Sequence, residues 1–205
     1  AWQQRRFAEH IEAANQSGLP LIVHTRDAAD DTMAMLREGR CQLVISPRPP
    51  DATDVVQKRL FEDHYRVFFD AGQRTAPADM ADYLASEHAS VLYEPQRTLD
   101  IDNWFHTQGL VRRMVVTVPG FSGLAPFLRG SRLLATVPGL LGRSVLHGLH
   151  SCATPLPCPA MPMYMVWHLR HQHDPVHRWL RQELEAVVAG VLAHWQPSPP
   201  HLLHS

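Results

Sequence analysis

The sequence has few of the features that mark small secreted or metal-stapled proteins. Three cysteines occur among 205 residues, at Cys41, Cys152 and Cys158, and no C-x-x-C pair is present. An odd number of widely spaced thiols disfavours a disulfide framework or a zinc-binding pair. We therefore expect a protein of the reducing cytoplasm, with no metal and no cofactor.

Long hydrophobic runs and an excess of one charge are also missing. No stretch approaches the roughly 20 apolar residues of a membrane span, and the N-terminus has no signal-peptide core. The formal net charge is −1. Direct binding to DNA needs a basic face and, most often, a helix-turn-helix pattern, and neither is visible. We expect no membrane partner and no direct contact with DNA.

The clearest local pattern is an apolar run followed by a helix-start signal. Residues Met163–Trp167 have the length and composition of a buried strand. Asp174 stands at an N-cap position and Pro175 at the first helical position. The helix is expected to run to about Trp195. Its predicted apolar stripe consists of Val176, Leu180, Leu184, Val188 and Val191.

The first 46 residues alternate between helical and strand patterns. A helix is predicted over Trp2–Ser17, a strand over Leu19–Val23, a helix carrying Ala29, Met33 and Leu36, and a strand over Cys41–Ser46. This order predicts a parallel sheet.

The middle of the chain predicts a second set of alternating elements. In chain order they are a strand Tyr65–Phe69, a helix Ala78–Ser86, a strand Ala89–Tyr93, a helix carrying Ile101, Trp104 and Phe105, a buried strand Met114–Val118, a short helix Phe121–Arg129, a strand Leu133–Val137, a helix Pro138–Leu149 and a proline-rich linker Cys152–Pro162. The chain then reaches the strand that begins at Met163. An excursion of this kind predicts two lobes joined by two crossing strands.

Residues 41 to 184 carry a family resemblance. The segments CQLVISPRPPD, KRLFEDHYRVFF, SEHASVLYE, GLVRRMVVTVPGF, RLLATVP and MVWHLRHQHDPVHRWLRQEL resemble, in order and spacing, the effector-binding domain of LysR-type transcriptional regulators. The resemblance implies an α/β fold with two Rossmann-like lobes, like a type II periplasmic binding protein. It also implies a small organic effector held between the lobes, a homodimer, and no enzymatic activity.

The resemblance also sets the expected domains. Lobe I comprises residues 41–64 and 163–196, completed by residues 1–40. Lobe II comprises residues 65–162, and residues 197–205 form a disordered tail.

Residues 1–40 show a second resemblance. AWQQRRFAEHIEAANQSGLPLIVHTRDAADDTMAMLREGR is similar to a segment of the TatD family of metal-dependent deoxyribonucleases, in which the histidine of H-[ST]-R binds metal. That histidine would be His24. The family's other ligand motifs are not recognisable, and a catalytic metal needs several converging ligands. We therefore predict a chimera in which this segment completes lobe I.

The histidines near the C-terminus form a second candidate metal site. His168, His171, His173 and His177 are dense, but only His173 and His177 could share a helical face, and no carboxylate is placed as a third ligand. A solvated or capping cluster is the favoured interpretation.

The candidate effector contacts are polar or aromatic residues at predicted strand ends. They are Ser46, Arg48, Arg97, Thr98, Phe121 and Ser122, together with His24 and Thr25. Each has a structural alternative, for example a turn cap for Ser46 or a core position for Phe121. The first lobe of the regulator family opens with a strand that has no counterpart in residues 1–40, and the loop after it normally lines the effector site. Three functional hypotheses remain: an effector-binding domain with ligand binding impaired by the missing first strand, a recombined scaffold without activity, and a remnant of a TatD-like nuclease.

Overall fold

A computed structural model describes residues 22–24, 29–93 and 97–193. The predicted N-terminal helix Trp2–Ser17, Thr25 and the predicted tail 197–205 lie outside the described residues, as do the side chains of His24 and Arg97. Among the described residues, no helix is long and apolar enough to cross a membrane.

The described chain contains ten strands, five α-helices and three 3-10 helices. The strands are β1 (Ile22–His24), β2 (Leu43–Ser46), β3 (Val55–Asp63), β4 (Tyr65–Phe69), β5 (Glu87–Tyr93), β6 (Arg97–Thr98), β7 (Arg113–Val118), β8 (Ala135–Pro138), β9 (His150–Ala153) and β10 (Met161–His168). The α-helices are α1 (Ala29–Arg37), α2 (Met80–Ala85), α3 (Asp100–Thr107), α4 (Leu124–Leu128) and α5 (Pro175–Ala193). The 3-10 helices are Phe121–Gly123, Gly139–Arg143 and Leu169–His171.

The chain divides into two compact units. The first unit contains the described residues up to Glu62 and those from Pro162 onward, and the second contains Asp63–Met161. The chain therefore leaves the first unit at the end of β3 and returns to it at the start of β10.

The first unit is built on a four-stranded sheet in the order β1-β2-β10-β3. β1 pairs with β2 in parallel, with His24 opposite Ile45, and β10 pairs with β2 in antiparallel. One buried cluster includes Met33, Leu36 and Val44, and another is formed by Leu43, Met165 and Trp167. The predicted strand before His24 thus shares a sheet with β2 and β10.

Helix α5 begins as its sequence predicts. The side chain of Asp174 accepts the backbone N–H of His177 at 2.7 Å, as an N-cap does, and Pro175 is the first helical residue. The predicted apolar stripe is only partly correct, because Val176 and Val191 are exposed. The fully buried positions of this helix are polar, His177 and Arg181. The prediction of a solvated histidine cluster is therefore wrong for His177.

The second unit contains two three-stranded sheets, ordered β8-β4-β9 and β6-β5-β7. β4 pairs with β8 and β9 in antiparallel, whereas β5 and β7 are parallel strands connected through α3. The backbone of Leu134 bridges to β5, since its N–H donates to Glu87 O and its carbonyl accepts from Ala89. A single apolar core includes Phe68, Phe105, Leu124 and Leu128.

Three local predictions in the second unit are wrong. Met114–Val118 is buried only at Val118, because β7 lies at the end of its sheet and Met114 and Val115 are exposed. The predicted helix Pro138–Leu149 is a 3-10 turn over Gly139–Arg143 followed by turns. Cys152–Pro162 is not wholly a linker, since Cys152 belongs to β9 and pairs with Val67 of β4.

Candidate functional site

The predicted effector contacts of the second unit meet at one edge of a sheet. β5 and β7 run in parallel with Val91 opposite Val118, so their carboxyl ends lie side by side. β6 turns back along β5 and places Thr98 opposite Leu92. Phe121 and Ser122 follow β7 within four residues. This arrangement defines the carboxyl edge of the second unit, formed by residues 97–98 and 121–122.

The side chains at this edge differ in how firmly they are held. Thr98 is exposed, and its hydroxyl donates to Asn103 Oδ1 at 2.9 Å. Phe121 packs against the core while remaining partly exposed, and Ser122 is exposed. The edge therefore carries two hydroxyl groups and an aromatic ring, which suits a small ligand with both polar and apolar parts.

A buried carboxylate fixes the turn that carries Thr98. Asp102 Oδ2 accepts the Ser90 hydroxyl at 2.8 Å and the backbone N–H of Leu99 at 3.3 Å. Asp102 Oδ1 forms an ion pair with the guanidinium of Arg112. The Asp102 and Arg112 side chains are 11% and 3% exposed. The pair therefore holds the first turn of α3 against β5 in a fixed position.

The ion pair continues into a buried hydrogen-bond chain. Arg112 Nη1 donates to Tyr83 Oη at 3.2 Å, and Tyr83 Oη shares a hydrogen bond of 2.5 Å with Thr136 Oγ1 in which either hydroxyl can donate. The guanidinium also lies over the Phe105 ring, 4.4 Å from its centroid. Burial raises the pKa of Tyr83, so the phenol stays protonated and can donate. The carboxyl edge thus rests on a satisfied polar network.

These supporting residues were missed by the sequence predictions. Asp102 is the third residue of α3 and accepts a hydrogen bond from the backbone N–H of Leu99, so an acidic residue at the third helical position was an available signal. Arg112 had no comparable local signal, since its partners Tyr83 and Asp102 are brought near it only by the tertiary fold.

The first unit has its own carboxyl edge. His24 ends β1 and Ser46 ends the parallel strand β2, so the two residues lie at the same end of the sheet. Ser46 is buried, and its hydroxyl lies 3.1 Å from both the backbone N–H and the carbonyl of Arg48. Ser46 therefore also caps a turn, which is the structural role that the sequence offered as an alternative to effector contact.

Among the described residues, no group of three histidine, cysteine, aspartate or glutamate side chains could hold a metal ion. The most strongly shifted histidine is His88, at the amino end of β5 and about 13 Å of strand from the residue opposite Thr98. Burial lowers the pKa of His88 to about 4. It therefore belongs to the interior rather than to the carboxyl edge.

Curated relatives match most of the chain. The HTH-type transcriptional activator NagR of Ralstonia sp is 28% identical over 177 residues, covering 84% of this chain and 59% of the relative. Nodulation protein D 2 of Rhizobium tropici is 31% identical over 191 residues, covering 87% and 58%. The chain thus spans about three fifths of the length of these relatives.

A solved structure shares the fold. The regulatory domain of MexT, a transcriptional activator in Pseudomonas aeruginosa, superposes with a TM-score of 0.62 at 25% identity and covers 75% of this chain and 76% of that chain. The predicted α/β architecture of the type II periplasmic-binding-protein kind is confirmed.

The family model described as LysR substrate binding domain matches residues 13–189. The match includes residues 13–40, most of the segment that resembles TatD nucleases. Nothing in these comparisons supports the prediction of a chimera. The chain belongs to the LysR substrate-binding domain family.

Proposed function

We propose that this chain is the effector-binding domain of a LysR-type transcriptional regulator and binds a small organic molecule. The observation that carries the proposal is the carboxyl edge of the second unit, where Thr98, Phe121 and Ser122 are gathered in a chain that belongs to this family. Arg97 is assigned to the same site, and Ser46, Arg48, His24 and Thr25 are assigned from the first unit.

The proposed ligand is a small carboxylate or aromatic compound. The Ser122 hydroxyl can donate to a carboxylate oxygen, the Thr98 hydroxyl can accept a hydrogen bond, and a partly exposed ring such as Phe121 can pack against an apolar ligand face. The Asp102–Arg112 ion pair would keep the Thr98 turn in place before the ligand arrives, which reduces the entropy lost on binding.

In the complete regulator, we propose that effector binding favours one conformation of a homodimer and so changes transcription. A DNA-binding portion would supply operator recognition, since no direct DNA contact is assigned to this chain. Sedimentation equilibrium of the purified chain tests the homodimer separately from ligand binding.

A thermal-shift panel of carboxylates and aromatics tests effector binding. A ligand present at 100 times its Kd stabilises the protein by about 2.7 kcal/mol, which corresponds to a rise in Tm of roughly 5–10 °C for a chain of this size. For any hit, Ser122→Ala should weaken binding about fivefold or more through loss of one hydrogen bond. The matched control is Ser144→Ala, an exposed serine after the 3-10 helix Gly139–Arg143.

The alternatives make different predictions in the same panel. A flat panel would contradict the proposal and favour a scaffold without activity. A nuclease remnant requires bound metal and metal-dependent cleavage of DNA that is lost in His24→Ala. No observation on the described residues favours either alternative, and a chimeric origin with impaired binding would appear as weak hits only.

A further inference from the structure

His177 lies in a buried setting that fixes its protonation state. It is 3% exposed on helix α5, and its Nε2 is 2.9 Å from the backbone carbonyl of Gln42, just before β2. A carbonyl oxygen can only accept, so Nε2 carries the hydrogen. This bond ties the first turn of α5 to the backbone that leads into β2.

The other ring nitrogen is occupied by a cation. Nδ1 of His177 lies 2.6 Å from Nη1 of Arg181, and a guanidinium can only donate. Nδ1 must therefore accept and carry no hydrogen. Both nitrogens are used by a neutral imidazole, and protonation at Nδ1 would replace the hydrogen bond with contact between two cations.

A second imidazole lies against the first. The rings of His171 and His177 are stacked with centroids 5.0 Å apart and an interplanar angle of 9°. Nε2 of His171 is buried without a hydrogen-bond partner. The backbone carbonyl of His171 accepts a hydrogen bond from Arg181 Nη1 at 3.2 Å. The Arg181 guanidinium also lies over the Trp167 ring, 4.5 Å from its centroid. A further positive charge in the cluster of His171, His177 and Arg181 would therefore be buried and repelled by the Arg181 guanidinium.

The charged groups around this cluster offset an added proton only in part, since Asp174 favours the protonated form of His171 whereas Arg170 and His168 oppose it. Asp174 is the carboxylate beside the rings, and its Oδ1 accepts the backbone N–H of His177 rather than an imidazole. The other charged or titratable groups that act on the cluster are His168 and Arg170 near His171, and Arg178 and Glu185 near Arg181. Glu185 is engaged by Lys58 at 2.5 Å.

We propose that the His171–His177–Arg181 cluster is an acid-sensitive lock that holds the first turn of helix α5 to β2. At neutral pH the unprotonated imidazole of His177 bridges Gln42 and Arg181. Protonation breaks the Arg181 bond, places like charges in contact and releases the first turn of the helix. The first unit thereby acquires a conformational response to pH that does not depend on the effector.

The state of His171 agrees with this mechanism. Burial, followed by the neighbouring His177, lowers the pKa of His171. A histidine whose pKa is depressed on folding contributes stability above the unfolded pKa of about 6.5, and that stability is lost as pH falls. Acidification therefore weakens the cluster at His171.

Hydrogen exchange of the intact chain tests the lock. The amide of Arg178, which donates to Asp174 O, reports the first turn of α5. Between pH 7.5 and 5.5 its protection factor should fall at least fivefold in the wild type, since one linked proton changes an equilibrium by at most about tenfold per pH unit. In His177→Gln, whose amide can donate to Gln42 and accept from Arg181 without titrating, the fall should be less than twofold.

The matched control is His173→Gln, an exposed histidine of the same turn, which should behave as the wild type. Nitrogen-15 spectra of the wild-type imidazoles provide an independent measurement if His177→Gln does not fold. They should show His177 as the Nε2–H tautomer at pH 7.5, and any protonation of His177 should be accompanied by loss of Arg178 protection. An equal loss of protection in His177→Gln, an Nδ1–H tautomer of His177 at pH 7.5, or a protonated His177 with α5 still protected would overturn the proposal.

Discussion

The interior of the second unit should be sensitive to acid because of His88. This residue is 0% exposed, and its Nε2 donates to the Tyr83 carbonyl at 2.8 Å. Its Nδ1 is buried without a hydrogen-bond partner, so a proton added there would be an uncompensated buried charge. Arg112 and Arg74 add electrostatic repulsion to the effect of burial.

The size of the expected loss of stability follows from the pKa shift of His88. Burial lowers the pKa of His88 from 6.5 to about 4, and each pKa unit corresponds to about 1.4 kcal/mol. Because the folded pKa is depressed, the unfolded chain binds the proton first. The free energy of unfolding of the second unit should therefore be unaffected by His88 above pH 6.5 and fall by about 3 kcal/mol between pH 7 and pH 4.

The comparison is between the wild type and His88→Gln, which keeps a donor for the Tyr83 carbonyl but does not titrate. Urea unfolding is followed by fluorine NMR of 5-fluorotryptophan, because Trp104 is the tryptophan of residues 63–161 and reports this unit. The wild type should lose about 3 kcal/mol more than His88→Gln between pH 7 and pH 4. His106→Gln, an exposed histidine on α3, is the control. Equal pH dependence in all three proteins would refute the role of His88.

Three further substitutions test a buried ion pair, a close backbone contact and a helix cap. Arg112→Met should cost about 3–5 kcal/mol in urea unfolding, because it leaves the Asp102 carboxylate buried and unpaired; a loss below about 1 kcal/mol would mean that the pair is not needed. Gly139→Ala should lower the free energy of unfolding by roughly 1–3 kcal/mol, because the added Cβ would lie 3.0 Å from the backbone carbonyl oxygen of His64. Its control is Gly120→Ala, whose Cβ would meet nothing within 4 Å and should change that free energy by less than about 0.5 kcal/mol. Asp174→Ala should lower stability by about 1 kcal/mol through loss of the N-cap, and an unchanged Tm would contradict that role.

Local signals predicted the elements that depend on local chemistry. The strand Tyr65–Phe69 has the bounds expected from its apolar run, and Pro175 begins α5 because a proline costs no hydrogen bond at that position. The α-β-α-β order predicted the parallel pairing of β1 and β2. In these segments, propensity, capping and burial all favour the same structure.

The errors occurred where neighbours decide the outcome. An apolar run such as Met114–Val118 is compatible with both a central and an edge strand. Only the sheet order shows that β7 is an edge strand, paired with β5 alone among the described strands. The resemblance predicted a crossing over residues 58–69, and the local pattern predicted no strand before Tyr65, because the central residues of β3 are charged and exposed. β9 was missed because prolines follow it, although pairing with β4 supplies its hydrogen bonds.

The candidate site illustrates the same limit at the level of side chains. Strand-end positions such as Thr98 and Ser122 can be identified from sequence, because a parallel sheet gathers its carboxyl ends. The groups that hold these positions cannot be identified in this way, since Asp102 meets Ser90 and Arg112 only after β5, α3 and β7 have packed. A buried charge is tolerated only when every partner is in place. The polar network beneath the edge is therefore a consequence of the fold, and substitutions in it should alter the site without touching a ligand.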